Sequence, residues 1–117
     1  MNPRVRDLWA GDLENCPVEQ GTGALRQIVN GVIKDCCLAR LCELYRLEHP
    51  DAPPWKLDDI DNRQVFLGAH LTLPMEVQEW AGLLASDPTI GYESATELND
   101  NLGKTFPEIA DLIRKNL

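Results

Sequence analysis

The residues best equipped for chemistry in this chain are four cysteines, two histidines and one dense run of carboxylates. Cys36, Cys37 and Cys42 fall within one predicted helix. A tetrahedral metal centre needs thiolates that converge, and the chain has no CxxC or HxxxH pair to supply that spacing. At ~100° per residue, Cys42 lies ~240° around a helix from Cys36 and ~140° from Cys37, so its thiol points elsewhere. Cys36 and Cys37 sit on the apolar stripe, where cysteine packs as a small hydrophobe. Cys16, next to Pro17 in a loop, is the thiol expected to be most exposed, with no helix N-terminus or basic neighbour to activate it. His49 closes the predicted helix, where the dipole favours a cation. His70 reads as an interior histidine, and nothing in the sequence brings either ring to a nucleophile.

The carboxylates of WKLDDID (Asp58, Asp59, Asp61) offer hard oxygen ligands, but the glycine and glutamate of a calcium-binding EF-hand loop are missing. Capping of a following helix accounts for them. Gly21-Thr22-Gly23 precedes a predicted helix without a preceding strand or a phosphate-binding lysine, so it reads as a flexible cap rather than a nucleotide loop. The expectation is therefore no catalytic residue, no metal and no cofactor, and a protein that is not an enzyme.

Charge is the more informative signal. The net charge is −8, and from Asp58 to Gly103 nine acids face the single base Arg63, so this segment carries the whole excess. No lysine or arginine occurs between Arg63 and Lys104. Such a field repels nucleic acid and attracts basic surfaces. Partner binding through Asp58, Asp59, Asp61, Glu76, Glu79, Glu93, Glu97 and Asp100 follows as the leading expectation, with Trp55 and Tyr92 as aromatic anchors. The partner would be a protein with a basic surface, and the role that of an inhibitor or nucleic-acid mimic. The alternative is a helix-turn-helix DNA-binding regulator built from residues 94–116. In it, Leu98, Leu102, Gly103, Ile109 and Leu112 have the required spacing, but the reading end offers Glu108 and Asp111 beside Lys104.

The elements that must position these groups read as helices. Asn2 caps a helix to Asn15 with Pro3 in its first turn and Val5, Leu8, Trp9 and Leu13 on one face. Leu25, Ile28, Val29, Val32, Ile33, Cys36, Cys37, Leu41, Leu44 and Tyr45 keep helical spacing, which predicts one long helix over about 24–48, closed by His49-Pro50. Residues 58–71 are read as a helix, with a strand as the alternative because Val65-Phe66-Leu67 is followed by Gly68. Thr72 is read as the cap of a helix that buries Val77, Trp80, Ala81 and Leu84 and stops at Ser86-Asp87-Pro88. Ser94-Ala95-Thr96-Glu97 and Thr105-Phe106-Pro107-Glu108 have the form of capping boxes opening two further helices, with Gly103 between them.

The fold class expected is all-α: one domain over residues 1–117, a compact bundle of five to six helices around the central helix. Leu25, Ile28, Val32, Ile33, Leu41 and Leu44 would form its core, with Trp80, Phe66 and Ile109 against them. No apolar run approaches the ~20 residues of a membrane span, and MNPRVRDLWAGDLE lacks the apolar region of a secretory leader. A cytoplasmic setting with reduced thiols is expected. The oligomeric state is left open.

Overall fold

The computed structural model describes residues 1–58 and 62–117. The first helix forms as its sequence dictates. In α1 (Pro3–Glu14), the Asn2 side chain accepts from the Val5 amide at 3.1 Å, proline occupies the first turn, and Val5, Trp9, Ala10 and Leu13 are buried. Leu8 stays largely outside the core.

The long central helix does not exist. Its first half is a β-hairpin, β2 (Arg26–Val29) and β3 (Val32–Asp35), and only the second half is helical, α2 (Cys37–Glu48). The cause is local. Asn30 and Gly31 both take positive φ, 52° and 77°, the two-residue turn that matches strand twist. The residues flanking it, Ile28, Val29, Val32 and Ile33, are all β-branched and favour strands. The hairpin repeats its apolar residues at intervals that imitate a helical period. Of the expected core, Leu25 and Leu41 are fully buried, Ile28 and Leu44 half-buried, and Val32 and Ile33 more than 40% exposed. His49 closes α2 as the proline after it requires.

A two-residue strand β1 (Glu19–Gln20) runs parallel to β3. On the other side, β5 (Arg63–Val65) pairs antiparallel with β2 and with β4 (Lys56–Leu57), giving the sheet order β1-β3-β2-β5-β4. The helix expected over 58–71 is thus replaced by a strand and a tight turn: Phe66 and Ala69 exchange two 2.9 Å backbone hydrogen bonds around Leu67 and Gly68, both at positive φ. The part of that expectation on Asp59, Ile60 and Asp61 lies outside the described residues.

Helix α3 (Met75–Ala81) begins after Pro74 rather than Thr72 and ends at Gly82, φ 70°, well before Ser86. Val77 and Ala81 are buried as expected and Trp80 is half-buried. Leu84 lies beyond the helix and is fully exposed. A second small sheet, β6 (Thr89–Ile90) and β7 (Glu93–Ser94), turns at Gly91-Tyr92. Ser94 Oγ accepts from the Glu97 amide at 3.2 Å and opens a π-helix, Glu97–Asn101. The wider turn of a π-helix lets two consecutive residues, Leu98 and Asn99, both face inward. Gly103 at φ 63° then leads to α4 (Phe106–Asn116), whose capping box forms as read: Glu108 N–H to Thr105 Oγ1, 3.3 Å, and Thr105 N–H to Glu108 Oε1, 3.0 Å.

The molecule is therefore mixed α/β, not an all-α bundle. Its core joins α1 and α4 (Val5, Trp9, Leu13, Ile109, Ile113) to α2 and to Phe66, and the indole of Trp9 donates to the Cys37 carbonyl at 2.8 Å. Ile109 and Phe66 occupy the core positions expected of them. Among the described residues, no helix is long and apolar enough to cross a membrane.

Candidate functional site

Ion pairing divides the chain into two electrostatic regions. Arg4, Arg6, Arg26, Lys34, Arg40, Arg46, Arg114 and Lys115 each lie within 4.0 Å of an acid that belongs to neither α3 nor the segment 87–100. Among the described residues, Glu76, Glu79, Asp87, Glu93, Glu97 and Asp100 form no such pair with a base. Three of them have other partners. Asp87 accepts from the Thr96 amide and hydroxyl, Glu97 from the Asn101 amide group at 2.7 Å, and Asp100 from that of Asn99 at 2.8 Å. Those hydrogen bonds orient the carboxylates without cancelling their charge.

The remaining expected contact residues are spread over several elements. Glu76 and Glu79 are exposed on α3, and Glu93 is exposed on β7. Asp58 is held by Arg63 at 2.8 Å and is half-buried, so it contributes little free charge. Asp59 and Asp61 lie outside the described residues. Trp55 is no exposed anchor: its indole donates to Glu43 Oε1, and Arg26 lies 4.4 Å over its ring. Tyr92 is the opposite case, fully exposed at the tip of the β6–β7 turn.

Beside Tyr92 runs a mostly apolar trough of about 320 Å³ lined by Ile90, Leu98, Leu102 and Leu112, with Glu93 and Lys104 at its edge. A second hollow of about 200 Å³ shares Lys104 and Leu112 and adds Glu108 and Asp111. The architecture that holds this region is polar and buried. Asn99, 2% exposed, accepts from Gln20 Nε2 at 2.9 Å and from the Cys37 amide at 3.1 Å, and donates to the Gly21 carbonyl at 2.8 Å. Gln20 in turn donates to the Lys104 carbonyl at 2.8 Å and accepts from the Phe106 amide at 3.1 Å. This amide pair, Asn99 buried and Gln20 half-buried, ties the π-helix and the start of α4 to the main sheet and leaves no orphaned polar group on Asn99.

A second constellation escaped the sequence reading. Asp35 is wholly buried and accepts from Arg26 Nε at 2.7 Å, Arg26 Nη2 at 2.9 Å and Arg40 Nη1 at 3.0 Å. Arg40 also forks onto Asp12 at 2.8 and 3.0 Å, and Arg26 reaches Glu43 at 3.4 Å. Hydrogen bonding to Asp12 and Asp35 holds Arg40 protonated far above its ordinary range, despite the opposing effect of burial. Burial alone would push the Glu43 carboxyl up, but Arg46, Trp55 and the charge of Arg26 more than offset it and leave it below its ordinary value. The signal available in advance was the facing of Arg26 and Asp35 across the Asn30-Gly31 turn, visible only once that turn is read as a hairpin. Each of these carboxylates has its charged partner, and the network joins α1, β2, β3 and α2.

All four thiols are free. Burial pushes the Cys36 thiol up to about 12 and those of Cys37 and Cys42 well above the ordinary range, which keeps them protonated and unreactive at neutral pH. Cys16 is half-buried, and desolvation raises its pKa too. His49 stacks on Tyr45 at 3.9 Å, with Nδ1 at 2.7 Å from the Tyr45 carbonyl. No group of three or more His, Cys, Asp or Glu among the described residues is arranged to hold a metal ion.

A family model described as Domain of unknown function (DUF8296) matches residues 1–117, and the chain belongs to that family. No curated protein and no solved structure matches the chain.

Proposed function

We propose that this member of the family is a protein-binding module that uses its acidic surface to occupy a basic site on a partner protein, in the manner of an inhibitor or nucleic-acid mimic. The observation that carries this reading is the division of charge. Arg4, Arg26, Arg40, Arg46, Arg114 and Lys115 are taken up by neighbouring acids, while Glu76, Glu79, Glu93, Glu97 and Asp100 form no ion pair with a base among the described residues. Uncompensated like charge destabilises the compact state through self-repulsion, and its benefit lies in long-range attraction of an oppositely charged surface.

DNA reading by residues 94–116 gains nothing from the geometry. The first element of the pair is a five-residue π-helix, and the capping box places Glu108 at the leading end of α4, where a phosphate would meet a carboxylate. Chemistry on a small substrate lacks support as well, since the thiols are held protonated and the buried carboxylates are paired with arginine. A cytoplasmic setting belongs to the same proposal and is supported by four unpaired thiols in a chain that needs no disulfide to close its core.

The test is affinity capture from the native host at low salt, run in parallel with a variant carrying Glu76→Lys, Glu79→Lys, Glu93→Lys and Glu97→Lys. A protein with a basic surface should be retained by the natural chain, released by added salt and lost to the variant. Equal capture by both chains would refute the proposal.

A further inference from the structure

We infer that the trough beside Tyr92 seats a basic amphipathic helix of the partner, which rests on the acidic-surface reading above and names the ligand that surface takes. Three observations converge on it. The first is Tyr92 itself. It is fully exposed on a two-residue turn, so its ring contributes nothing to the core, and Gly91 before it takes φ 79° beside Asn116 of α4. Tyrosine has only two side-chain torsions to order on binding and is a residue type that anchors interfaces.

The second is the apolar floor. Leu102 is 48% exposed and Leu112 half-buried, and the two hollows meet at Leu112 to make one extended depression. Its walls come from β6, β7 and the turn between them, the π-helix and α4. A helix satisfies its own backbone hydrogen bonds and can lay one apolar face into such a depression.

The third is the rim. Glu93, Glu108 and Asp111 border the depression, and Glu97 and Asp100 stand on the adjoining π-helix. Lys104 is the base within it, and Lys115 reaches Asp111 at 3.2 Å only as a largely exposed pair, which screens weakly. An apolar floor with a negative rim is complementary to a helix carrying leucine-like residues on one face and lysine or arginine along its flanks.

The experiment titrates three synthetic peptides, each longer than ~15 residues so that a helix can form, onto the isotope-labelled full chain by NMR. One is a leucine–lysine amphipathic helix, one a leucine–glutamate helix with the same apolar face, and one a lysine–serine peptide without apolar residues. The leucine–lysine helix should bind and shift Tyr92, Leu102 and Leu112. Tyr92→Ala with Leu102→Asn should weaken it by on the order of ten-fold or more, with thermal unfolding confirming that the variant folds. Equal binding of the lysine–serine peptide would overturn the trough proposal and leave the acidic-surface reading standing. Equal binding of the leucine–glutamate helix would overturn the rim's role, and failure of both lysine peptides would overturn both readings. Sedimentation of the chain alone closes the remaining alternative: a dimer abolished by Tyr92→Ala would make a second copy the occupant and overturn the proposal.

Discussion

Replacing Asp35 by alanine is the perturbation whose cost can be worked most fully from the geometry. The carboxylate is wholly buried and accepts three guanidinium hydrogen bonds, from Arg26 at 2.7 and 2.9 Å and from Arg40 at 3.0 Å. Removing one member of a buried ion pair costs about 3–5 kcal/mol, because the charges left behind remain desolvated. Here both arginines keep a second acid, Asp12 for Arg40 and Glu43 for Arg26, so the lower end, ~3 kcal/mol, applies. With an unfolding entropy of about 2.1 cal/mol/K per residue, ~3 kcal/mol in a chain of this length lowers Tm by roughly 12 °C. Circular dichroism melting, with the buried Trp9 fluorescence as a second probe, reads this directly. Asp12→Ala should cost less, since Arg40 retains Asp35, and the pair Asp35→Leu with Arg26→Met should recover much of the loss because no unpaired charge remains. A Tm drop under ~4 °C for Asp35→Ala, or a double variant worse than either single, would refute the reasoning.

Other outcomes follow from the same structure. Glu43 has a folded pKa depressed below its ordinary 4.5, so it contributes stability that is present above that value and lost as pH falls through the depressed one. Urea midpoints should therefore fall below about pH 4.5, and Glu43→Gln should flatten that part of the profile. An aromatic disulfide reagent at mildly alkaline pH should find Cys16 slowly and leave Cys36, Cys37 and Cys42 untouched until denaturant is added, as counted by mass spectrometry. Gly31→Ala should destabilise the chain by about 1–2 kcal/mol, because φ 77° is costly for any residue with a Cβ, and denaturant midpoints measure it.

Much of the fold was readable locally where one residue sets one geometry. Asn2 and Pro3 start α1, Thr105 and Glu108 start α4, and Pro50 ends α2, each through contacts within a few residues. The central error came from periodicity. Leu25, Ile28, Val29, Val32 and Ile33 satisfy a helical spacing, but the β-branching of the last four and the Asn30-Gly31 turn make a hairpin, and pairing of β2 with both β3 and β5 supplies the stabilisation that one helical stripe would have supplied. The candidate site was legible in part for the same reason. The deficit of bases between Arg63 and Lys104 is a property of the sequence, whereas the neutralisation of Asp12, Asp35 and Glu43 depends on Arg26, Arg40 and Arg46 meeting them in three dimensions. Trp55 looked like an anchor because nothing nearby in sequence reveals Arg26 over its ring.

If unpaired negative charge speeds encounter with a basic partner, the association rate constant with the captured partner must fall steeply across a salt series. The natural chain should associate at least about ten-fold faster at low than at high salt, and the four-lysine variant should lose both the speed and the salt dependence. A rate that is the same at every salt concentration, or the same for both chains, would mean that the acidic residues play no part in recognition.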